Sequence, residues 1–372
     1  MQNRKLIPVL LLLVFTASLT FAQSEVFKPV VNNLARYKTK KDLKYLAAAK
    51  KSIDSLITTK ADSADITKSV YKVVVYATIL SADTANTLKM PANSFDKTIQ
   101  LVDKINADKK SRRFTDQLDY VNKCIANIYI KQGFSYLATS DFTNGKQSFL
   151  KAQKYAPKFK ELNFYLAYCN NKLGNLQDAA KYYNDVVVTD NTQPEYIETA
   201  ANIYKSLGDT AKAIALLQKG RGYQPTDRFL LLNLANIYNN QQNFAALGEL
   251  LPQLLDNYPN NADIAFVAAN CYDHLNQYDK AETLYLKAIS LNSSAYEPVF
   301  NLGLLYLKKG LIKHEKAAGN DMVTAVNYLE KANEISPNEM NGLKALQLVY
   351  TRIQNKSGLT DVANKIEQLT NQ

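Results

Sequence analysis

The spacing of four prolines constrains this chain more than any other feature. Pro157, Pro225 and Pro259 are separated by 68 and 34 residues, multiples of one period, and Pro337 closes the same stretch. Taking Pro157 as position 32 of a 34-residue unit puts unit starts at 126, 160, 194, 228, 262 and 296. Position 8 then reads Gly133, Ala167, Ala201, Ala235, Ala269 and Gly303, small in every unit. Position 11 reads Tyr136, Asn170, Tyr204, Tyr238, Tyr272 and Tyr306. Position 20 is Gly145, Ala179, Ala213, Leu247, Ala281 and, after ten inserted residues are skipped, Ala325. A period of this length marks a supersecondary unit that cannot bury its apolar face alone and must stack on its neighbours.

The stripes fit helices. Positions 4, 7, 8 and 11 share one face of a first helix; 20, 24 and 27 share one face of a second. Small residues at 8 and 20 let two backbones approach, and Pro at 32 ends the second helix because it cannot continue the hydrogen-bond ladder. Only 12 Gly and 10 Pro interrupt a chain that is 47% hydrophobic and 21% charged, too few for a loop-rich fold. On these residues the chain resembles the tetratricopeptide repeat family over 126–339, with six units and a ten-residue insertion in the sixth. It departs from the family pattern where Asn191 and Ser293 replace Pro at position 32. The resemblance implies an all-α fold, a right-handed α-solenoid of helix-turn-helix repeats. Residues 23–125 read as degenerate helix pairs forming an N-terminal cap. Residues 340–372 read as C-terminal capping helices, a final pair over 338–370 broken near Gly358 that covers the end of the stack.

The first 22 residues have the order of a secretory signal: Arg4 and Lys5, an apolar run from Leu6 to Phe15, then Thr20-Phe21-Ala22 before Gln23. The run is short of the ~20 residues that span a bilayer. The expectation is cleavage after Ala22, a periplasmic or extracellular location, and no transmembrane segment thereafter. Residues 23–125 hold 19 basic and 11 acidic side chains, against 24 and 23 in 126–372. The basic runs at Lys38–Lys41 and Lys109–Arg113 suit either solvated loops or peripheral contact with an anionic envelope surface. Cys124, Cys169 and Cys271 lie 45 and 102 residues apart in apolar helical stretches, a spacing that matches no metal or redox motif. They read as small buried side chains.

No phosphate loop, nucleophile elbow or paired metal signature occurs, and two histidines leave little acid–base chemistry. The expectation is therefore no catalytic residues, no cofactor and no metal; Asp263 with Glu297 is the one acid pair worth testing. The resemblance places partner binding on the concave face, at positions 2, 5, 9, 12 and 13 of the first helices. The candidates are Phe164, Tyr168, Asn202, Leu232, Asn236, Phe266, Asn270, His274 and Phe300. Asn202, Asn236 and Asn270 form a ladder of amides, each able to donate to and accept from a peptide bond, or else to bridge adjacent helices. Position 5 carries no Lys, so the family's chaperone-binding carboxylate clamp is not matched. The implied function is a non-enzymatic scaffold of the envelope that holds a peptide or helical segment of another protein, with no nucleic acid. The alternative is a glycan-binding protein that stacks concave aromatics on sugar rings. His314, in the insertion among lysines, is a further candidate contact.

Overall fold

In the computed structural model the described residues are 25–190, 193–312 and 315–371. The expected signal segment 1–22 and His314 lie outside them. No strand occurs among the described residues, and the chain forms two compact units divided between Asp190 and Asn191.

In the first unit, helices α1 (Lys28–Lys40) and α2 (Leu43–Asp54) pair as an antiparallel hairpin, followed by a short α3 (Lys60–Ala64). Next come α4 (Ile66–Ala82) and α5 (Ser94–Ala107). Val70, Tyr71, Val73, Val74, Val75, Ala77 and Ile79 are all buried and cover most of α4, leaving Lys68, Lys72 and Tyr76 as one narrow half-buried stripe. A helix with so narrow a polar stripe belongs at a core. Accordingly α2, α5 and α6 (Thr115–Ala138) all pack on α4. The N-terminal region is thus a bundle around one buried helix, rather than only the stack of degenerate pairs expected from its sequence. Buried hydroxyls in α4 are satisfied: Thr78 Oγ1 donates to Val74 O at 2.6 Å and lies 2.9 Å from Tyr120 Oη, and Ser69 Oγ donates to Ser63 O at 3.2 Å. The boundary drawn between 125 and 126 falls inside α6, whose 24 residues bury Leu118, Val121 and Cys124 on one side of it and Tyr129 and Gly133 on the other. Helix α7 (Phe142–Tyr155) packs on α6, and α8 (Leu162–Lys172) with α9 (Leu176–Thr189) completes the unit.

The second unit runs α10 (Pro194–Ser206), α11 (Thr210–Tyr223), α12 (Arg228–Asn240), α13 (Phe244–Asn257), α14 (Ala262–His274) and α15 (Tyr278–Leu291). It ends with α16 (Tyr296–Ile312), α17 (Glu315–Ile335), α18 (Met340–Arg352) and α19 (Lys356–Thr370). Each first helix packs on its own second helix, and each second helix on the next first helix. Ala201, Ala235 and Ala269 at position 8 are buried in these contacts. Gly303 is needed there, since a Cβ would come within 2.8 Å of Leu329 Cγ and 3.2 Å of Leu329 N.

The turn inside each pair carries a signal that the sequence reading missed. Position 15 has positive φ in Ser140, Gly174, Gly208, Gln242 and Asn276, between 53° and 77°. The next N–H reaches back to the position-11 carbonyl, as in Asp209 to Tyr204 and Asn243 to Tyr238, both at 2.9 Å. This left-handed closure stops the first helix, and position 16 then caps the second: Asp141, Asp209 and Asn243 accept from backbone N–H groups three residues on. The sixth unit is still helical at position 15: Gly310 lies inside α16, packed on Met322, and both helices of that pair are longer than those of the other pairs in the second unit.

At the C-terminus Gly358 does not break a helix; it lies inside α19, where its missing side chain admits the Tyr350 ring. The turn falls at Gln354, φ 58°, and Asn355 accepts from Gly358 N. Counting from 340, Tyr350 is position 11 and Gln354 position 15. Residues 340–370 are the final helix pair expected, and they keep the register of the repeat. The three thiols behave as expected: all are free and buried, and burial pushes Cys124 up to about 12 and Cys169 and Cys271 up to about 11.

Candidate functional site

Positions 5, 9 and 13 of a first helix are one turn apart, so they form a single stripe. In the first unit that stripe on α8 holds Phe164 and Tyr168, both half-buried. Phe164 meets Tyr165 and Tyr183 edge-on, with centroids 5.3 and 6.4 Å away. Tyr168 meets Phe142 at 5.9 Å, with Lys172 Nζ 5.6 Å from its ring.

In the second unit five first helices carry the stripe. It reads Glu198, Asn202 and Ser206 on α10; Leu232, Asn236 and Asn240 on α12; Phe266, Asn270 and His274 on α14. It continues with Phe300, Leu304 and Lys308 on α16 and Lys344, Leu348 and Arg352 on α18. Direct packing joins α10 to α12, α14 to α16 and α16 to α18. Asn202 and Asn236 are exposed and Asn270 half-exposed, and among the described residues their side-chain amides have no hydrogen-bond partner. The helix-bridging role is therefore not what these asparagines do.

The phenylalanines differ from expectation. Phe266 and Phe300 are half-buried, not free anchors: Phe266 lies 6.2 Å from the buried Tyr285 ring, and Phe300 stacks on Tyr296 at 5.2 Å. Phe266 thus joins α14 to α15, while Phe300 stacks within α16 and packs against the C-terminal core. The exposed aromatic on this face is Phe229 at position 2 of α12, 55% exposed and one turn before Leu232. The period gave its position, but attention to position 5 passed it over.

The position-11 tyrosines of the second unit point inward. Tyr204, Tyr238 and Tyr272 are buried, and Tyr238 Oη accepts from Gln218 Nε2 at 2.9 Å. Tyr306 donates to Glu282 and Tyr350 to Glu330, each at 2.5 Å. Burial works upward on Glu282, but hydrogen bonds from Lys309 and Tyr306 outweigh it and hold its carboxyl below the usual range. Tyr204, Tyr238 and Tyr272 are therefore not available to stack on sugars, whereas Tyr136 is 39% exposed and Tyr168 half-exposed. Asn170, the one departure at position 11, is wholly buried; its Oδ1 accepts from Lys146 Nζ at 2.6 Å and its Nδ2 donates to Leu166 O at 2.8 Å.

The candidate chemistry does not assemble. Asp273 is paired with Lys308 at 3.2 Å, and exposed His274 lies flat on Phe244, centroids 4.0 Å apart. Asp263 and Glu297 are exposed carboxylates in the first turns of α14 and α16, where the helix dipole favours a negative charge. Among the described residues no three His, Cys, Asp or Glu side chains converge to hold a metal ion. A shallow cleft lined by Leu255, Tyr272, Asp279, Lys280, Thr283 and Leu284 includes none of the predicted site residues. The basic run Lys109–Phe114 is a 3-10 segment anchored by Arg113 Nη2 to Thr67 Oγ1 at 3.2 Å. No described helix is long and apolar enough to cross a membrane.

Comparison with known proteins was made on this basis. Two family profiles described as tetratricopeptide repeat match residues 130–194, and 195–227 with 262–294. A curated relative, the general transcriptional corepressor trfA of Dictyostelium discoideum, is 22% identical over 133 residues. The match covers 35% of this chain and spans only 10% of that protein's length. Among solved structures, MamA is 18% identical with a TM-score of 0.41, over 46% of this chain and 94% of its own. A tetratricopeptide repeat protein from Parabacteroides merdae is 16% identical with a TM-score of 0.39, over 65% of this chain and 98% of its own. YrrB, described as a TPR protein with an unusual peptide-binding site, is 17% identical with a TM-score of 0.44, over 54% of this chain and 98% of its own.

Proposed function

For this tetratricopeptide-repeat protein, we propose the role of an exported, non-enzymatic scaffold that holds a polypeptide segment of a partner protein on the first-helix face of residues 193–371. The observation that carries the reading is the set of unpartnered amides at Asn202, Asn236 and Asn270 beside exposed Phe229. An amide that can both donate and accept matches a peptide bond without reading a side chain. Phe229 adds an apolar anchor of the kind that dominates binding energy when a partner buries it. The buried tyrosines and partnered phenylalanines leave little for a sugar ring, so polypeptide is favoured over glycan. The absence of a converged acid, base or nucleophile constellation among the described residues fits a binding role.

Panning a random linear peptide library against the protein, followed by calorimetric titration of selected peptides, tests this. Phe229→Ala should weaken binding about tenfold to a hundredfold, on the hot-spot scale, and Asn236→Ala should weaken it too, with melting temperature unchanged. Selected peptides that bind wild type and both variants equally would move the site off this face. Export is tested separately by intact mass of protein recovered from its native host. Mature protein should begin at Gln23, and retention of residues 1–22 would contradict it.

A further inference from the structure

The stripe at positions 5, 9 and 13 is not uniform along the second unit. Its charge runs from Glu198 on α10, through uncharged Leu232, Asn236 and Asn240 on α12, to Lys308 on α16 and both Lys344 and Arg352 on α18. Position 9 changes in step, from Asn202, Asn236 and Asn270 to Leu304 and Leu348. On α18 the pattern is sharpest. Leu348 is 53% exposed, and Lys344 and Arg352, both exposed, stand one helical turn before and after it. Among the described residues neither cation has an ion-pair or hydrogen-bond partner. Lys308 on the neighbouring α16, by contrast, is engaged by Asp273 at 3.2 Å. At the opposite end Glu198 accepts from Asn233 Nδ2 at 3.4 Å, and the stripe offers no cation.

An exposed leucine has no folding role at this place, since Leu343, Leu346 and Val349 already form the buried face of α18. Flanking it with two unpaired cations gives a surface complementary to one chemistry: an apolar side chain bracketed by carboxylates. Charge complementarity of this kind fixes orientation and selects partners more than it adds affinity. Resting on the groove reading above, we infer that the α16–α18 end of this face receives an acidic segment with a central apolar residue. The bound polypeptide then lies with its acidic end over α18 and its uncharged or basic end over α10. The surface is a polarity-reading device as well as a holder, because a segment laid down in reverse would place its carboxylates against Glu198 rather than Lys344 and Arg352.

The probes are the peptides recovered from the random linear library panned against the whole protein. Recovered sequences should be enriched in Asp or Glu on both sides of Leu, Ile, Val, Met or Phe. Lys344→Glu combined with Arg352→Glu should lower their affinity at least tenfold, and repanning that variant should enrich Lys and Arg instead. Lys344→Gln with Arg352→Gln should give an intermediate loss and abolish the salt dependence, with helicity unchanged as expected for exposed sites. Peptides that depend on Phe229 but show no acidic bias, or that ignore the charge reversal, would overturn this inference and leave the groove reading standing. Recovery of no peptide sensitive to Phe229 or Asn236 would overturn the groove reading and this inference with it.

Discussion

Replacing Gly133 by alanine tests the helix packing directly, because two opposed effects of known size meet there. Gly133 sits inside α6, where a helical glycine costs about 0.5–1 kcal/mol relative to alanine. If propensity decided the outcome, Gly133→Ala would stabilise. A methyl built at Gly133, however, lies 2.6 and 2.7 Å from Phe149 Cε1 and Cζ, about 1 Å inside ordinary carbon–carbon contact. Phe149 is wholly buried, stacked on Tyr165 with centroids 5.2 Å apart and edge-on to Phe134 at 5.7 Å. The ring cannot retreat without moving two others. Overpacking of this kind costs about 1–3 kcal/mol, and disturbing the ring cluster adds up to about 1 kcal/mol. At the middle of each range, subtracting the propensity gain leaves a net loss of about 2 kcal/mol. For a folding unit of this size that lowers the melting temperature by roughly 4–8 °C, read by far-ultraviolet circular dichroism. Gly222→Ala in α11 is the matched control: nothing lies within 4 Å of its Cβ, so it should be neutral or slightly stabilising. Combining Gly133→Ala with Phe149→Leu should cost less than the sum of the two, since the smaller side chain makes room. An unchanged or raised melting temperature for Gly133→Ala, or strict additivity in the double variant, would refute the packing account.

Gly208→Ala places a side chain at φ 77° and should cost about 1 kcal/mol, whereas Gln242→Gly at φ 53° should be neutral or stabilising; chemical denaturation measures both. Burial raises the phenols of Tyr120, Tyr285, Tyr306 and Tyr350 above the usual range, so their neutral forms contribute stability that is complete below about pH 10 and lost as pH rises further. The melting temperature should therefore fall steeply on the alkaline side, and a flat profile to pH 12 would contradict the buried assignments. Phe266→Ala with Phe300→Ala should lower the melting temperature as well as any binding, because both rings pack on tyrosines of the fold. An unaltered melting curve would return them to the role of free anchors.

The period was legible because packing leaves a residue-type record at fixed spacing. Small residues at position 8 and tyrosines at position 11 touch the same neighbours in successive pairs, and the structure finds most of them buried. What escaped was conformation without a residue signature. Position 15 adopts a left-handed backbone as Ser140, Gln242 and Asn276 as readily as Gly174 and Gly208, so only the hydrogen-bond pattern reveals it. The final pair was legible as a pair, but its turn lies at Gln354, four residues before the glycine that suggested it. In the N-terminal region the helical periodicity over 64–82 was legible, but which neighbours cover α4 was not, because its buried residues occupy most of its circumference and so name no single partner. At the candidate site the helical positions were readable, but exposure was not. Phe266 and Phe229 are the same residue type on the same face, and only the Tyr285 ring beside the former separates a structural role from a free surface.

The central claim is that the first-helix face of residues 193–371 is the working surface. Site-specific photo-crosslinking in the native host tests it most directly, with the crosslinker placed at Phe229 or at Leu348 on that face and at Leu286, which is 41% exposed on the second helix α15. The partner segment mapped by mass spectrometry should be captured from Phe229 and Leu348, with acidic residues nearest the Leu348 crosslink, and not from Leu286. Capture of the same segment from Leu286, with none from Phe229 or Leu348, would contradict the account.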